Sequence, residues 1–386
     1  MARGDSFTAR VEQIISGGAG ITRLDGKSVF IELTAPGDTI RGKILKEHKN
    51  WAEAELLEIL EPSPARIEPA CPLYGQCGGC SLQHMTYTAQ LEAKAAILRD
   101  SFIRLGGNNP PEIKVCGSKP FEYRNRVQFH KTEKGIGFME RKSSHIVPLT
   151  DCPIADPGIR NALKERKMKA PEKNRFTVYS RGNTFLVEGV NNRGSVSISG
   201  TELKMDASVF FQSNGAMLEL LIDDLLKVVR ANTSGNTSGT GNDMGLADIY
   251  CGVGTFASFL GKEFSSVDLV EENKAALAIA RENVRANNVN CYAITDTEWV
   301  KIRKDKSWGF MVLDPPREGL SGPIRKWLAS SGPRLVAYVS CDPATLARDS
   351  RFLLEGSYKL KELTLYDFYP QTAHIESLAI FERENS

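Results

Sequence analysis

The chain opens with short alternations of apolar and polar residues. Phe7, Ala9 and Val11 alternate until Gly17-Gly18-Ala19-Gly20 breaks the run, and residues 28–33, 39–45 and 53–60 repeat the strand pattern. Short strands joined by glycine turns predict a small β-barrel of the oligonucleotide-binding sort. Glu61-Pro62-Ser63-Pro64 then reads as a linker. Residues 88–105 change period: Leu91, Ala95, Leu98 and Phe102 keep helical spacing until Gly106-Gly107-Asn108 stops it. Strand-like patterns return over 121–200, as in Val127-Gln128-Phe129 and Gly135-Ile136-Gly137-Phe138-Met139. Residues 217–229 are apolar but interrupted by Glu219, Asp223, Asp224 and Lys227, which predicts an amphipathic helix. The Asn/Thr/Ser/Gly-rich stretch 231–245 predicts a surface loop.

From residue 246 strands and helices alternate. Strands are expected at 246–250, 266–271, 310–313 and 335–340, with a helix at 273–287 that puts Leu277, Ala280 and Val284 on one face. This alternation implies a doubly wound, mostly parallel sheet, in which ligands bind at the carboxyl ends of the strands.

A length of 386 residues implies two or three domains, and 41% hydrophobic with 25% charged residues fits a globular protein. A net charge of +2 announces no nucleic-acid partner, so local charge matters more. Arg160, Lys164, Arg166, Lys167, Lys169, Lys173, Arg175 and Arg181 face only Glu165 and Glu172 within one stretch, and a second basic run spans 114–142. Such runs suit a phosphate backbone or an ordinary solvated face equally well. Met-Ala-Arg-Gly-Asp at the start has no apolar core of a signal peptide, and no apolar run nears the ~20 residues of a membrane span. A cytoplasmic protein without a membrane partner is expected, and its eight cysteines then suggest metal binding or catalysis over disulfides.

Four segments carry candidate chemistry. In Asp248-Ile-Tyr-Cys-Gly-Val-Gly-Thr-Phe-Ala257 a strand ends, two glycines let the backbone approach a ligand, and a helix begins. Glu271 closes the next strand, where a carboxylate can accept hydrogen bonds from ribose hydroxyls. The third glycine of a dinucleotide fingerprint is missing, which favours adenosylmethionine over NAD. Cys341, in Ser340-Cys-Asp-Pro, stands at a strand's end before a helix whose dipole would favour the thiolate of a nucleophile. Cys71, Cys77 and Cys80, with Cys152 far downstream, supply four thiolates suited to an iron–sulfur cluster or to zinc. The fourth segment, Asp367-Phe-Tyr-Pro-Gln-Thr-Ala-His-Ile-Glu376, is crowded with polar and aromatic groups.

Together these segments closely resemble the RNA uracil-C5 methyltransferase family, which modifies 23S ribosomal RNA and tRNA, along essentially the whole chain. The resemblance implies a TRAM-like β-barrel over 1–62, a central iron–sulfur and RNA-binding region over 63–200, and an α/β Rossmann-like adenosylmethionine domain over 201–386. The helix near 88–105 is expected to pack on that last domain. The resemblance makes Cys71, Cys77, Cys80 and Cys152 ligands of a [4Fe-4S] cluster. It places Gln212 (in Phe211-Gln-Ser-Asn), Tyr250, Glu271, Asp296 and Asp314 on S-adenosyl-L-methionine, and makes Cys341 the nucleophile and Glu376 the general base. Tyr250 replaces a common Phe, Thr255 sits where relatives carry Asn, and Asp342 stands where many have Asn.

That chemistry explains the residue types. Uracil C5 is too weak a nucleophile to attack a sulfonium methyl directly; thiolate addition at C6 turns the ring into an enolate and activates C5. A positioned base must then remove the C5 proton. The target uridine has to leave any stack to be reached. The barrel and cysteine cluster favour 23S rRNA as substrate, with a tRNA uridine as the alternative, and a monomer is expected. An iron–sulfur electron carrier would leave the Cys341 and Glu376 segments without a role; a silent RNA-binding module would leave the cofactor motif idle.

Overall fold

The computed structural model describes residues 2–233, 244–303 and 308–384. Residues 234–243, most of the expected surface loop, lie outside the described residues.

Six strands form the N-terminal sheet: β1 (Ser6–Arg10), β2 (Gln13–Ile14), β3 (Gly20–Leu24), β4 (Lys27–Ile31), β5 (Thr39–Glu47) and β6 (Trp51–Glu61). Their order is β1-β5-β6-β4-β3-β2, antiparallel except where β4 meets β6. Alternate residues turn inward, so Val29, Ile31, Ile40, Ile44 and Ala52 are wholly buried in a private core. Burying each of the valine and isoleucine side chains contributes about 1.5–3 kcal/mol.

Helix α1 (Tyr87–Ser101) begins at Thr86, whose side chain accepts from the Ala89 N–H. A π-helical turn over Phe102–Gly106 extends it, and Gly107 ends it in a left-handed conformation, φ 68°. Strand β7 (Ile113–Cys116) follows. The next unit holds β8 (Arg126–Thr132), β9 (Gly135–Met139), β10 (Ile146–Pro148), α2 (Pro157–Lys164), β11 (Arg175–Arg181) and β12 (Thr184–Val187), with sheet order β10-β9-β8-β11-β12. Strands β13 (Arg193–Ile198) and β14 (Thr201–Asp206) then pair as a hairpin. The boundary expected at residue 200 therefore falls inside a turn rather than between units.

The C-terminal part contains α3 (Gly215–Thr233), β15 (Gly245–Ile249), α4 (Thr255–Leu260), β16 (Ser266–Val270), α5 (Lys274–Asn283), β17 (Val289–Tyr292), α6 (Asp296–Arg303), β18 (Trp308–Leu313), α7 (Gly322–Ser331), β19 (Leu335–Ser340), α8 (Pro343–Glu355), β20 (Tyr358–Tyr366) and β21 (Glu376–Arg383). Its sheet has eight strands in the order β17-β16-β15-β18-β19-β21-β20-β7. The first five are parallel, as the alternation implies, and β21 slots in antiparallel between β19 and β20. This is a Rossmann-like, doubly wound sheet. Along its central strands Leu246, Phe310, Val312 and Val339 enter one buried cluster while Ala247, Ile249, Leu313 and Tyr338 enter the other. Apolar residues on both faces explain why these strands read as continuous runs.

The edge of this sheet comes from far upstream. β7 pairs parallel with β20, Ile113 opposite Leu363, and α1 lies beside it. Residues 87–116 thus build on the large sheet, although the sequence places them in the central region. A buried ion pair clamps the arrangement: Lys94 Nζ lies 2.6 Å from Asp367 Oδ1, both side chains fully shielded from solvent.

Candidate active site

The strand order reverses between β15 and β18, where neighbouring connections leave in opposite directions and open a crevice at the strand ends. Three residues after β15 take left-handed backbone: Tyr250 (φ 64°), Gly252 (φ 54°) and Gly254 (φ 75°). For Tyr250 this costs on the order of 1 kcal/mol. Its hydroxyl donates to Asp296 Oδ2 at 2.6 Å, tying the turn to the start of α6. Gly254 is required sterically as well, since a Cβ there would stand 2.9 Å from Val284 Cγ2. Asp248 accepts from the Ala257 N–H at 3.0 Å and so fixes α4 to the end of β15; burial pushes its carboxyl up to about 8.

Glu271 follows β16. One of its oxygens accepts from the Gly252 N–H at 3.1 Å and the other from the Asn273 N–H at 2.8 Å. The carboxylate thereby grips the glycine loop while still lining the crevice. Gln212 Nε2 donates to Asp314 Oδ2 at 3.4 Å across it. Gln212, Tyr250, Glu271, Asp296, Asp314, Cys341 and Glu376 all line one cavity of about 700 Å³. That is the size class of small-molecule and cofactor sites.

Cys341 and Glu376 reach the cavity by different routes. Cys341 follows the last residue of the parallel strand β19, whereas Glu376 is the first residue of the antiparallel β21. Ser340 and Ser377 are register partners, so the strand reversal brings the two residues to the same sheet end. Glu376 is buried and its carboxyl is held well above the usual range, by burial first and the charge of Asp314 second. Burial also pushes Asp314 up to about 7.

The expected activation of Cys341 by a helix dipole does not emerge. Its thiol is pushed up to about 12 by burial, then by Glu376 and Asp314, with Arg317 opposing. Asp342 adds least: it caps α8, accepting from the Ala344 and Thr345 N–H groups at 2.9 Å each, and so occupies the helix's positive end. His374, beside Arg317, is pushed down to about 4, mainly by burial, and is neutral near pH 7.

A second cavity of about 1040 Å³ joins the first along Arg124, Arg317, Cys341 and His374. Cys71, Cys77, Cys80 and Cys152 all line it as free thiols. Burial pushes Cys80 up to about 12 and Cys152 up to about 11, and Cys80 is raised further by the charges of Cys152 and Cys77. Among the described residues no His, Cys, Asp or Glu group is drawn together as a ready-made metal site. The four sulfurs nevertheless line one space, a donor set suited to a soft cation, and the charge of Cys77 disfavours ionisation of both Cys80 and Cys152.

The basic run 160–181 is largely neutralised. Arg160 pairs with Asp151 and Glu122, Lys167 with Glu165, Lys173 with Glu188 and Arg181 with Glu219. Of that run only Arg175 lines the second cavity, where Arg124, Arg141, Lys142 and Arg317 supply the other basic side chains.

A sequence profile described as tRNA (Uracil-5-)-methyltransferase matches residues 175–384. The chain belongs to the RNA uracil-C5 methyltransferase family. It is an S-adenosylmethionine-dependent RNA (uracil-C5)-methyltransferase. An uncharacterized RNA methyltransferase of Treponema denticola is 34% identical over 97% of this chain and 98% of its own length. The 23S rRNA (uracil(1939)-C(5))-methyltransferase of Aeromonas hydrophila is 31% identical over 95% of this chain and 93% of its own. Among solved structures, the tRNA (uracil-54, C5)-methyltransferase of Pyrococcus abyssi, in complex with S-adenosyl-L-homocysteine, shares the fold. It superposes with a TM-score of 0.73 over 97% of this chain and 100% of that one, at 23% identity. Among the described residues no helix is long and apolar enough to cross a membrane.

Two residues of this methyltransferase's cavities escaped the sequence reading. Arg317 follows Asp314-Pro-Pro directly, and its position in that motif was a usable signal. Arg124 joins both cavities from a segment between strands, and the sequence marks it only as one member of the basic run 114–142.

Proposed function

We propose that this enzyme methylates C5 of a uridine in 23S rRNA, with Cys341 as covalent nucleophile and Glu376 as the base that removes the C5 proton. The carrying observation is that these two residues share one sheet end and one cavity with Gln212, Tyr250, Glu271, Asp296 and Asp314. Those five residues suit S-adenosylmethionine: the glycine loop would give close backbone approach, Glu271 offers a carboxylate for the ribose, and Asp314 and Glu376, whose ionisation burial disfavours, would ionise more readily beside a sulfonium. When bound, the cofactor supplies an electrophilic methyl group for C5 to take.

Cys341 gives its proton to solvent water and its sulfur bonds to C6, while the C5–C6 π electrons move through C4 onto the C4 oxygen as an enolate. After methylation Glu376, as carboxylate, accepts the C5 proton; the electrons of that C–H bond restore the C5–C6 double bond and expel the Cys341 thiolate. Arg317 favours the thiolate, and positive charge entering beside Asp314 and Glu376 favours all three ionised forms.

Cys71, Cys77, Cys80 and Cys152 are proposed to hold a [4Fe-4S] cluster, whose place beside the cavity suits structure or RNA positioning, since the reaction needs no electron. The N-terminal sheet over 1–62 is read as a TRAM barrel, 63–200 as the central RNA-binding region and 201–386 as the catalytic domain of a cytoplasmic monomer. Similarity to the Aeromonas hydrophila enzyme along nearly the full length supports ribosomal RNA over tRNA. Mapping 5-methyluridine in both RNAs from cells lacking the gene tests this. Loss of one 23S site supports the reading, and loss confined to tRNA overturns it.

A further inference from the structure

The thiol-lined cavity and the candidate active site are joined by one segment of chain. Residues 367–376 lead from the end of β20 to Glu376, and Gln371 within them takes a left-handed backbone, φ 67°. Such a conformation persists only where its surroundings impose it. Here they do. The Gln371 carbonyl accepts from the N–H groups of Ser81 and Leu82, both at 3.0 Å. From α1, Gln90 Nε2 donates to Gln371 Oε1 at 3.0 Å while Gln90 Oε1 accepts from the Gln371 N–H at 2.9 Å. The Tyr123 hydroxyl donates to the Pro370 carbonyl at 2.8 Å.

Ser81 makes one contact further along. Its Oγ accepts from the N–H of Ala373, the residue before His374, at 2.9 Å. Gly18 closes over this contact, where a Cβ would stand 3.0 Å from Ala373 Cβ and 3.1 Å from Ser81 Oγ. Ser81 itself directly follows Cys80, whose carbonyl accepts from Arg141 Nη2 at 2.7 Å.

We propose that Ser81 is a positioning residue: it fastens the backbone carrying His374 and Glu376 to the four-thiol centre, so that the geometry of one sets the geometry of the other. This rests on reading Glu376 as the base and the four cysteines as metal ligands. A metal held by Cys80 fixes the chain at residue 80, and Ser81 passes that constraint to Ala373 through one hydroxyl and to Gln371 through backbone. The segment before Glu376 lacks regular secondary structure, so its precision depends on such straps.

The test compares metal-loaded wild type with Ser81→Ala and Ser81→Thr. In Ser81→Ala, metal content should stay at the wild-type value and the Ala373 amide should exchange hydrogen about tenfold faster, since its acceptor is gone. Turnover should fall about 10- to 100-fold with KM for RNA little changed, because a misplaced base slows proton removal rather than binding. A methylated covalent adduct should accumulate, and Ser81→Thr, which keeps the hydroxyl, should restore both turnover and amide protection. Unchanged exchange and turnover in loaded Ser81→Ala would overturn the proposal, as would an equal loss in loaded Ser81→Thr. If Ser81→Ala does not load metal, Ser81→Thr decides: protection and turnover near wild type support the role of the hydroxyl. Normal C5 proton release by Glu376→Gln would retire the base assignment instead, and exchange at Ala373 would still judge Ser81.

Discussion

Ser340 and Ser377 face each other across β19 and β21, and the Ser377 hydroxyl donates to the Ser340 carbonyl at 3.4 Å. One step beyond that pair in each strand stand Cys341 and Glu376. Because the strands run antiparallel, the end of one and the beginning of the other arrive at the same place. The proposed nucleophile and the proposed base are thereby set by sheet register, which is among the stiffest constraints a fold offers.

Cys341→Ala and Glu376→Gln should both abolish turnover, for separable reasons. Without the thiol no bond to C6 forms, and no RNA–protein adduct should survive denaturing electrophoresis. Without the carboxylate, addition and methylation proceed but the adduct cannot resolve, so it should accumulate. With RNA tritiated at uracil C5, both variants should release very little tritium to water. An adduct formed by Cys341→Ala would point to another nucleophile.

The shielded thiol predicts a pH profile. Burial and neighbouring carboxylates disfavour the thiolate, so its ionisation lies near 12, above the ordinary cysteine range. Between about pH 7 and 10 only a small, growing fraction is ionised, and iodoacetamide labelling of Cys341 in the ligand-free enzyme should climb about tenfold per pH unit. Mass spectrometry of the Cys341 peptide reads this directly. A plateau near pH 8.5, typical of a free thiol, would contradict the assigned environment.

The metal is testable by colour and stoichiometry. Anaerobic purification should yield a brown protein with about four irons per chain. Cys80→Ser should lower iron content and solubility together, since ligand loss and folding are coupled. Stoichiometric zinc without iron in that preparation would replace the cluster with a tetrahedral site.

Lys94 should matter far more than a helix lysine ordinarily does. Its ammonium meets Asp367 Oδ1 at 2.6 Å and the Tyr369 carbonyl at 3.0 Å with no solvent access. Lys94→Met leaves Asp367 as an uncompensated buried carboxylate and should cost about 3–5 kcal/mol in urea unfolding. Lys94→Met with Asp367→Asn should recover much of that loss; equal destabilisation of both would assign the effect to packing.

Much of the site was legible because its signals are local. A strand's end, a glycine pair and a carboxylate one strand later are neighbours in sequence, and so the glycine loop and Glu271 announce themselves, whereas Tyr250 and Asp314 were placed by the family resemblance. Cys71, Cys77 and Cys80 are likewise close in sequence and line one cavity. Contacts made across the chain left no such trace. Lys94 sits in a helical pattern as lysines on wet faces do, and its partner is 273 residues away. Strand β7 is four residues long, and its place beside β20 is a matter of tertiary pairing. The Cys341 environment was misjudged because the helix that follows is visible in sequence, whereas the carboxylates packed around the thiol come from β18 and β21.

The position of β7 has a consequence for dissection. A fragment beginning at residue 201 would retain the parallel strands and β21 at the first cavity but would lose Arg124 and Arg126 from its lining. It would also lack β7, leaving the outer rim of β20 with unsatisfied main-chain donors and acceptors and an unpaired, partly apolar flank. Such a rim recruits whatever strand it meets, including another copy of itself. The fragment should therefore self-associate, and supplying residues 87–116 in trans should keep it dispersed.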